Sequence, residues 1–405
     1  MSMTITMTSH EMKAYPRAVR RALWLGSLLE VGTLDVRMPD GREARFGGKA
    51  SGPAAQMNIS DLQFARFLNR GGDIGLADAY IAGMWETPDL TAFLALFAAN
   101  QPVIQRLLAN RPLVRMLQRF QHFLNRNSRS GSRRNIHAHY DLGNGFYGAW
   151  LDPDMNYSSA LYATPQTTLD QAQKAKQLAL ARGLGLSASH HLLEIGCGWG
   201  GFALFAAQNF GCNVTALTIS PAQCDMARQR VFAAGLNEKI KVELRDYRDE
   251  TGIYDHIASI EMIEAVGEAF WPTYFNQLSG RLKPGGRAGL QAITIDEALF
   301  AGYKREIDFI RRHIFPGGML PTLSGLRTLG NKVNLTIIGE RAFGPDYART
   351  LSQWRIRFRA AWPQISRNGF DETFRRMWEY YLSYCEAGFT TGTINVRQIF
   401  FEKPV

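Results

Sequence analysis

The stretch that decides the fold is residues 192–201, Leu-Leu-Glu-Ile-Gly-Cys-Gly-Trp-Gly-Gly. Its apolar first half predicts a buried strand. The glycines that follow predict a tight turn, because glycine adopts backbone conformations that other residues avoid and lets a ligand approach the backbone. A glycine turn after a strand is typical of nucleotide-binding α/β folds, although by itself it is weak evidence for any one ligand.

Strands and helices alternate on both sides of this turn. Apolar strands are predicted at 190–195, 213–218, 240–244, 254–260 and 287–295, with helices at 202–209, 221–234 and 271–282. Repeated β-α-β units predict an α/β fold with a doubly wound, Rossmann-like and mainly parallel sheet, which binds its ligand at the carboxyl ends of the strands. The helix at 271–282 is expected to end in a turn at Lys283-Pro284-Gly285-Gly286.

Three details of this region favour S-adenosylmethionine over a dinucleotide. Glu194 precedes the first glycine by two residues, and a helix follows the turn at once. The fourth strand is followed by Glu261-Met262-Ile263-Glu264 and then by Leu-Lys-Pro-Gly-Gly at 282–286. This ordered set resembles class I S-adenosylmethionine-dependent methyltransferases. Such an enzyme mainly aligns the donor with the acceptor and excludes water, because a sulfonium methyl group is already reactive.

The chain has 405 residues, which favours more than one domain. Residues 1–100 are predicted to form a small mixed α/β domain that associates with lipid or membrane. It has helices at 18–29, 59–68 and 90–97 and short strands at 32–37 and 43–46. A linker at 101–134 and a catalytic domain at 135–405 complete the predicted organisation. No catalytic motif is visible in the first domain.

The linker at 101–134 is strongly basic. No acidic residue occurs between Asp89 and Asp141, whereas eight arginines alternate there with leucine, methionine and phenylalanine. A basic amphipathic helix of this kind indicates contact with an anionic membrane surface, in keeping with the formal net charge of +10. A solvated interdomain helix and a helix packed on a partner subunit are the alternatives. Nucleic acid is not expected, because no nucleic-acid-binding motif accompanies the charge.

The number of cysteines and the hydropathy of the chain indicate the cellular compartment in which the protein is expected. The four cysteines, Cys197, Cys212, Cys224 and Cys385, show no metal-ligand spacing, so no metal is predicted. So few cysteines suit a reducing compartment. No signal-peptide core and no run of about 18 apolar residues occurs. We therefore expect a cytoplasmic protein that is peripheral on the inner face of the membrane.

A series of longer motifs runs through the second part of the chain, at 139–147, 155–160, 196–201, 217–223, 245–249, 264 with 266–267, 314–318, 343–347, 354, 361–363 and 380–389. Together they resemble one family of these methyltransferases, the cyclopropane-fatty-acyl-phospholipid synthases and mycolic acid cyclopropane synthases. The resemblance spans roughly 135–403 in order. It implies transfer of a methyl group to the double bond of an unsaturated phospholipid acyl chain through a carbocation, and it hints at a homodimer.

The resemblance also places the donor site. Its residues would be Tyr157, Ser158, Glu194, Gly196, Cys197, Gly198, Gly200, Thr218, Ile219, Gln223, Asp246 and Tyr247. We expect the glycine turn at the amino-acid end of S-adenosylmethionine, Thr218 and Gln223 at the ribose, and Asp246 at the adenine. Residues Ile307–Leu320 and Trp354–Trp362 are expected to help wall an apolar acyl channel.

Family members hold a bicarbonate ion that acts as the base. The positions that match its ligands are Ser159, Glu264, Gln291, Ile293 and Tyr347. Three departures stand out, since the family has cysteine at Ser159, histidine at Gln291 and histidine at Ala265. Either bicarbonate binds more weakly here, or Glu264 takes the proton itself.

The same departures leave the product open between a cyclopropane and a methyl-branched or methylene chain. Cys385 matches a cysteine of the family and is either catalytic or a packed core thiol. Two other functions remain as alternatives, namely methylation of a soluble small molecule such as an amine, and donor binding without catalysis.

Overall fold

The computed structural model describes residues 13–101 and 142–405. Its helices are α1 Arg17–Gly26, α2 Phe64–Ile81, α3 Leu90–Ala99, α4 Asn144–Gly148, α5 Leu169–Leu184, α6 Gly201–Phe210, α7 Pro221–Ala233, α8 Ile263–Val266, α9 Trp271–Arg281, α10 Glu297–Tyr303, α11 Leu323–Asn331, α12 Gly344–Ile365 and α13 Glu372–Thr390. Its strands are β1 Val31–Arg37, β2 Glu43–Gly47, β3 Ala50–Ile59, β4 Trp85–Glu86, β5 His191–Ile195, β6 Asn213–Thr218, β7 Ile240–Leu244, β8 Tyr254–Ile260, β9 Leu282–Ile295, β10 Thr336–Ala342 and β11 Ile394–Glu402.

The larger sheet has seven strands in the order β10-β11-β9-β8-β5-β6-β7. Strands β5 to β9 pair in parallel, whereas β10 and β11 are antiparallel at one edge. The chain builds β6 and β7 on one side of β5 and then returns to build β8 and β9 on the other side. The predicted doubly wound, mainly parallel sheet is therefore confirmed. Its switch point lies between β5 and β8, where such sheets bind their ligands.

Local signals explain how the helices around this switch point begin and end. α5 starts with a capping box, in which Thr168 and Gln171 exchange side-chain and backbone hydrogen bonds, and it ends at Gly185 in the left-handed conformation. α7 starts with the N-cap Ser220 followed by Pro221, whose fixed φ suits the first turn. The N-cap of α7 lies two residues after the end of β6, so the first turn of α7 lies at the carboxyl end of that strand, where the site is.

The N-terminal residues form a second sheet with the order β2-β1-β3-β4. β1 pairs antiparallel with β2 and parallel with β3. α3 packs against β3 and begins at Asp89, whose carboxylate accepts the Ala92 amide at 3.0 Å. α2 has a kink at Gly72, where φ is 62°. Residues 13–100 thus form a small mixed α/β unit; the predicted boundaries remain predictions, and the linker at 101–134 lies outside the described residues.

The sequence-based prediction was wrong in two places. Residue Ile59 ends strand β3 rather than beginning a helix, and the helix runs from Phe64 to Ile81. β3 was missed because its glycine, proline and alanines have low strand propensity, which parallel pairing with β1 overrides. The expected turn at 283–286 lies within β9, because Gly285 and Gly286 pair through their backbones with Lys403.

The N-terminal sheet is attached to the larger one through α13. Arg376 donates to the backbone carbonyls of Tyr80 and Trp85 at 2.6 and 3.0 Å and pairs with Glu86 at 3.0 Å. Glu386, nearly three turns further along, accepts a hydrogen bond from Thr91 at 3.0 Å. The same helix therefore holds the N-terminal unit on one face and, as described below, reaches the cavity with another.

Within residues 13–101 and 142–405, no helix combines the length and the apolar character needed to cross a membrane.

Trp85 is the largest fully buried side chain of the N-terminal unit, and its Nε1 donates to the Leu76 carbonyl at 3.0 Å. Trp85→Ala removes this bond and leaves a cavity, so we expect the free energy of unfolding to fall by about 3–5 kcal/mol in denaturant titrations. Phe232→Ala, at an aromatic side chain that is 75% exposed, should change it by less than about 0.5 kcal/mol. Equal effects of the two substitutions would contradict this assignment of the core.

Candidate active site

A cavity of about 900 Å³ opens at the carboxyl ends of the parallel strands. Residues that follow four of those strands line it, namely Gly196 after β5, Ile219 after β6, Asp246 after β7 and Glu261 after β8. Such a volume lies at the upper end of the range for small-molecule sites, about 300–1,000 Å³. The sheet topology therefore gathers the predicted site residues around one space.

Eleven of the twelve predicted donor residues line this cavity. They are Tyr157, Ser158, Glu194, Gly196, Cys197, Gly198, Thr218, Ile219, Gln223, Asp246 and Tyr247. Gly200 does not line it; its φ is 80°, and a Cβ there would lie 3.2 Å from the Cβ of Ala227. Gly200 thus permits the close packing at the start of α6, whereas the other glycines face the cavity.

Glu194 and Gly198 fit the amino-acid end of S-adenosylmethionine. Oε2 of Glu194 is buried and has no hydrogen-bond partner among the described residues, so an ammonium group beside it would satisfy it. Burial raises the pKa of Glu194 to about 8, and the nearby Lys176 acts against this rise. A Cβ added at Gly198 would meet nothing within 4 Å, so the turn leaves open space beside its backbone.

At the other end of the donor site, the polar side chains have protein partners. The hydroxyl of Thr218 donates to Oε1 of Gln223 at 3.0 Å and accepts the amide of Ser220 at 3.2 Å. Asp246 forms two hydrogen bonds with the Arg248 guanidinium, at 2.5 and 2.9 Å, and both side chains are buried. These contacts fix the positions of Thr218, Gln223 and Asp246 along the cavity wall.

Two carboxyl groups lie at the centre of the site, and Glu261 is the better bonded. Its Oε1 accepts the Ser159 amide at 2.8 Å and the Gln291 side-chain amide at 2.7 Å, and its Oε2 accepts the Tyr347 hydroxyl at 2.6 Å. Glu261 also has a left-handed backbone, with φ of 49°, which a residue other than glycine adopts only at some cost. Its amide donates to the Gln291 carbonyl at 2.7 Å, which holds this conformation.

Ser159 and Gln291 do not line the cavity; they lie behind Glu261 and donate to it. The orientation of the Gln291 amide is set from behind. Gln398, directly opposite on β11, donates to Oε1 of Gln291 at 3.1 Å. The NH₂ group of Gln291 is therefore the one that faces the Glu261 carboxylate.

The second carboxyl group belongs to Glu264, three residues beyond Glu261 and in the first turn of α8. Its Oε1 accepts the backbone amide of Ile293 at 2.5 Å, while its Oε2 is buried with no partner among the described residues. Burial raises the pKa of Glu264 to about 8, and the negative charge of Glu261 adds to the rise. Burial also raises the pKa of Glu261, but the hydrogen bonds from Tyr347, Gln291 and Ser159 and the charge of Lys176 act against the rise. Because three donors stabilise the ionised form of Glu261 and one faces Glu264, the proton of the pair is favoured on Glu264.

The central cation is Lys176 on α5, whose side chain is fully buried. Its Nζ donates to the hydroxyl of Ser158 at 2.7 Å. Burial lowers the pKa of Lys176 to about 8, whereas the carboxylates of Glu261, Asp152 and Glu194 favour its charged form. Lys176 thus partly neutralises a site that is otherwise rich in acids.

The remaining walls near the carboxyl groups are aromatic. The hydroxyls of Tyr157 and Tyr381 lie 2.7 Å apart, and the ring of Tyr347 stacks on Phe389 with centroids 4.4 Å apart. Cys385, on α13, lines the cavity, and burial raises the pKa of its thiol far above the ordinary value, so the thiol is protonated. Tyr347, Ile293, Glu264 and Cys385 are thus the predicted catalytic residues that line the cavity.

From these walls the cavity continues into the N-terminal unit, a part we call the apolar arm. The arm is lined by side chains of α1, α2, α3 and adjoining residues, namely Trp24, Leu25, Leu28, Leu29, Leu68, Leu76, Leu94 and Phe97, with Arg21 and Arg70 among them. Nine residues between 307 and 320 line the cavity as well, whereas none of 354–362 does. The first of the two predicted wall segments therefore contributes, and the second packs elsewhere.

Sequence reasoning missed Glu261 and Lys176 as site residues. Glu261 directly follows β8, at the sheet edge where ligands bind, and its position was itself a usable signal. Lys176 lies four residues after Ala172 and four before Leu180, so it occupies the buried stripe of α5. A charged residue on an apolar stripe indicates a paired or functional group. Among the described residues, no group of three potential ligands is placed to hold a metal ion.

The pKa of Glu264 predicts a pH-dependent stability. In the unfolded chain Glu264 ionises near its ordinary value of 4.5, whereas the folded protein keeps it protonated up to about 8. Between these values the folded state binds more protons, so its stability falls as the pH rises. Glu264→Gln cannot titrate, and its free energy of unfolding relative to the wild type should rise by roughly 2–4 kcal/mol between pH 5 and pH 8 in urea titrations.

Glu250→Gln is the control for this experiment. Burial raises the pKa of Glu250, but hydrogen bonds from Gly252, Arg245 and Tyr254 outweigh it and lower the pKa overall. Glu250 is thus ionised in both states above pH 6, and the variant should differ from the wild type by a constant amount between pH 6 and pH 8. Parallel stability curves for the wild type and Glu264→Gln would contradict the prediction.

Comparison with known proteins gives the family. The chain matches the family model described as mycolic acid cyclopropane synthetase over residues 127–399. It is 39% identical over 344 residues to the tuberculostearic acid methyltransferase UfaA1 of Mycobacterium tuberculosis, covering 82% of this chain and 80% of that protein. It is 33% identical over 378 residues to the cyclopropane-fatty-acyl-phospholipid synthase of Escherichia coli K12, covering 89% and 92%.

A solved structure agrees with these matches. The mycolic acid cyclopropane synthase CmaA1, complexed with SAH and CTAB, aligns with a TM-score of 0.63 and 29% identity, over 67% of this chain and 98% of that one. The Rossmann-like methyltransferase fold and the family resemblance predicted from the sequence are both confirmed. The chain belongs to the mycolic acid cyclopropane synthetase family and is an S-adenosylmethionine-dependent methyltransferase.

Proposed function

We propose that this enzyme methylates a carbon of the double bond in an unsaturated fatty acyl chain of a membrane phospholipid. The product is a cyclopropane or a methyl-branched or methylene chain. One observation carries the proposal: a single cavity joins the glycine turn of the donor site to the carboxyl groups of Glu261 and Glu264 and to the apolar arm. The names of the two relatives, a tuberculostearic acid methyltransferase and a cyclopropane-fatty-acyl-phospholipid synthase, point to the same substrate class.

The donor end of the cavity is assigned to S-adenosylmethionine, which supplies an electrophilic methyl group when bound. Glu194 would hold the ammonium group, and the turn at Gly196–Gly198 would accept the amino-acid end against its backbone. The paired Thr218 and Gln223 lie at the ends of β6 and α7, within reach of a ribose. Asp246, fixed by Arg248, faces the same cavity for the adenine.

The walls around the carboxyl groups suit a carbocation on the acyl chain. Tyr157, Tyr347 and Tyr381 present aromatic rings, whose faces attract cations. The Glu261 carboxylate adds a fixed negative charge, which counts for more in a buried site than in water. Apolar walls also keep water from capturing the cation. Each of these features lowers the energy of the charge that forms when the double bond is methylated.

The apolar arm supports a long alkyl chain as the acceptor. Eight apolar side chains of the N-terminal unit line it, so a chain whose double bond lies beside Glu261 and Glu264 could continue into that unit. The CmaA1 structure aligns with 67% of this chain, and residues 1–100 lie outside the family match at 127–399. We therefore assign the N-terminal unit to the far part of the acyl chain.

A phospholipid at a membrane surface is proposed from charge. The formal net charge is +10, and eight of the arginines lie in the linker at 101–134. We propose that this linker holds the enzyme at the anionic inner face of the membrane, where the acyl chain is drawn into the cavity. A cytoplasmic location and a homodimer are further proposals; the homodimer rests on the family resemblance alone.

The two other functions considered from the sequence are not favoured. A soluble small molecule such as an amine would not fill the apolar arm. The names of the two relatives given above also describe activity on fatty acids. Donor binding without catalysis does not account for the second carboxyl group, since Glu264 lines the same cavity with a buried, unpartnered oxygen.

The proposal is tested with S-adenosylmethionine that carries a trideuterated methyl group and vesicles of dioleoyl phosphatidylglycerol. Mass spectrometry should find label in the lipid, with three deuterium atoms for a branched methyl group and two for a ring or a methylene group. Cleavage at any remaining double bond then separates ring from methylene. At low salt, dioleoyl phosphatidylcholine should react at least about tenfold more slowly, and added salt should narrow the difference.

Saturated dipalmitoyl phosphatidylglycerol and a mixture of free amines serve as controls, and both should stay unlabelled. Label on an amine, or none on the unsaturated lipid, would overturn the proposed function.

Glu194→Gln tests the donor site by binding alone. Removal of the charge beside the ammonium group should weaken S-adenosylhomocysteine binding by about 10- to 100-fold in isothermal titration calorimetry. Glu268→Gln, which removes a surface partner of Lys304, should leave the dissociation constant unchanged. A dissociation constant within about twofold of the wild type in Glu194→Gln would remove Glu194 from the donor site.

A further inference from the structure

We infer that Glu261 replaces a bound bicarbonate in this enzyme: its carboxylate occupies the anion site and accepts the proton that leaves after methyl transfer. The catalytic half of this inference rests on the proposed function. The half that concerns occupancy of the anion site does not, and it can be tested without turnover.

The first observation is that the donors for an anion are already used. The family resemblance places five bicarbonate ligands, and three of them, Ser159, Gln291 and Tyr347, donate to Glu261 at 2.6–2.8 Å. The other two, Glu264 and Ile293, are bonded to each other. A bicarbonate ion would find the Ser159, Gln291 and Tyr347 donors occupied, and Oε2 of Glu264 would be the one atom of this set left without a partner within the described part of the chain. The residues present therefore do not fit a bound bicarbonate.

The second observation is charge. A bicarbonate in this space would lie beside the Glu261 carboxylate and the Glu264 carboxyl group, which are largely shielded from solvent inside the cavity. Bicarbonate and the Glu261 carboxylate are both negative, and neighbouring like charges repel strongly where water is excluded. The nearest cation, Lys176, is held by Ser158 and already faces Glu261, Asp152 and Glu194. An added anion would therefore meet three occupied donors and a lysine that already faces three carboxyl groups.

The third observation is backbone strain. Glu261 has φ of 49°, one of three positive values among the non-glycine residues described. Glycine would adopt this conformation without strain, so the side chain is present in spite of its backbone cost. Strain of this kind is held only where the surroundings compensate for it, and here three hydrogen bonds to the carboxylate do so. The hydrogen bonds that compensate for the strain are made to the Glu261 carboxylate itself, so this side chain is part of the anion site.

A carboxylate also has the right shape and chemistry for the task. Bicarbonate and carboxylate both present two oxygens on a planar carbon with one negative charge. Oε1 of Glu261 accepts two hydrogen bonds, whereas Oε2 accepts one, from Tyr347. Oε2 is therefore the oxygen with room for a proton, and Glu261 lines the cavity.

The proposed step is balanced as follows. The sulfur–carbon bond of the donor breaks, the π electrons of the alkene form the new carbon–carbon bond, and a carbocation remains on the chain. A carbon–hydrogen bond next to the cation then breaks. Its electron pair closes the ring or forms a double bond, and the proton goes to Oε2 of Glu261. When the product leaves, Glu261 releases the proton to water and the anion is restored.

Two substitutions separate this role from a structural one. Glu261→Gln keeps the space filled but cannot accept the proton, and its turnover should fall by about 10²- to 10⁴-fold. Glu261→Gly removes the side chain at a backbone angle that suits glycine, and it leaves the three donors facing an open site. In bicarbonate-free buffer the turnover of Glu261→Gly should fall by a similar factor. Added bicarbonate should then raise that turnover by at least about tenfold. The wild type and Glu261→Gln should not respond to bicarbonate.

A binding experiment supplies the readout that needs no acyl substrate. Carbon-13 NMR of labelled bicarbonate should show binding to Glu261→Gly and none to the wild type or to Glu261→Gln. Asn334→Gly is the matched control, because Asn334 also has a positive φ, of 58°, and lies outside the cavity. It should keep wild-type activity and bind no bicarbonate. Unchanged affinity for S-adenosylhomocysteine checks that each variant is folded.

Three results would overturn the inference: a wild-type enzyme that binds or requires bicarbonate, a Glu261→Gln variant with wild-type turnover, or a Glu261→Gly variant that neither binds bicarbonate nor recovers with it. A wild type that labels no lipid would refute the proposed function instead. In that case the NMR comparison still decides whether Glu261 fills the anion site.

Discussion

The carboxylate of Glu261 accepts hydrogen bonds from three separate parts of the chain: the segment before α5, the strand β9 and the helix α12. Taking an ionised carboxyl group out of water is costly, and only such a set of donors makes it tolerable. The constraint therefore acts in both directions. The three segments hold the charge in place, and the charge fixes where the three segments meet at the head of the cavity.

Around this carboxylate the site is unbalanced in charge. Glu194 and Asp152 are buried nearby, as is Oε2 of Glu264, whereas Lys176 is the one buried lysine among the described residues. Burial raises the pKa of each of these three acids, to about 8 for Glu194 and Glu264, so these two are protonated at neutral pH until a cation lies beside them. S-adenosylmethionine brings a sulfonium and an ammonium group. A site with surplus acid is thus suited to a positively charged donor and then to a carbocation.

Much of the fold could be predicted because its signals are local. The strand and glycine turn at 192–201, the alternation of elements after it and the caps at Ser220 and Gly185 all follow from short-range chemistry. The strand β3 could not be predicted, because Gly52, Pro53 and the neighbouring alanines are typical of a loop. They form a strand only through pairing with β1. The extension of β9 through Lys283-Pro284-Gly285-Gly286 likewise depends on pairing with residues near the C-terminus.

The candidate site likewise has a part that could be predicted from the sequence and a part that could not. Motif positions identified residues that line the cavity, such as Tyr157, Thr218 and Tyr347. They did not show that Ser159 and Gln291 face another side chain of the protein, since that depends on the direction of the Glu261 side chain in space. The departures from the family pattern at Ser159 and Gln291 were visible in the sequence. Their common reason became visible once Glu261 was found between them.

The contact between Gln398 and Gln291 gives the last strand of the chain an influence on the chemistry. Successive residues of a strand point to opposite faces, so a slip of β11 by one residue would turn Gln398 away from its partner. Gln291 would then lose the donor that fixes its amide and could rotate by half a turn, which would place a carbonyl oxygen against the Glu261 carboxylate. Correct register at the C-terminal edge of the sheet therefore determines the polarity of a group at the reaction centre.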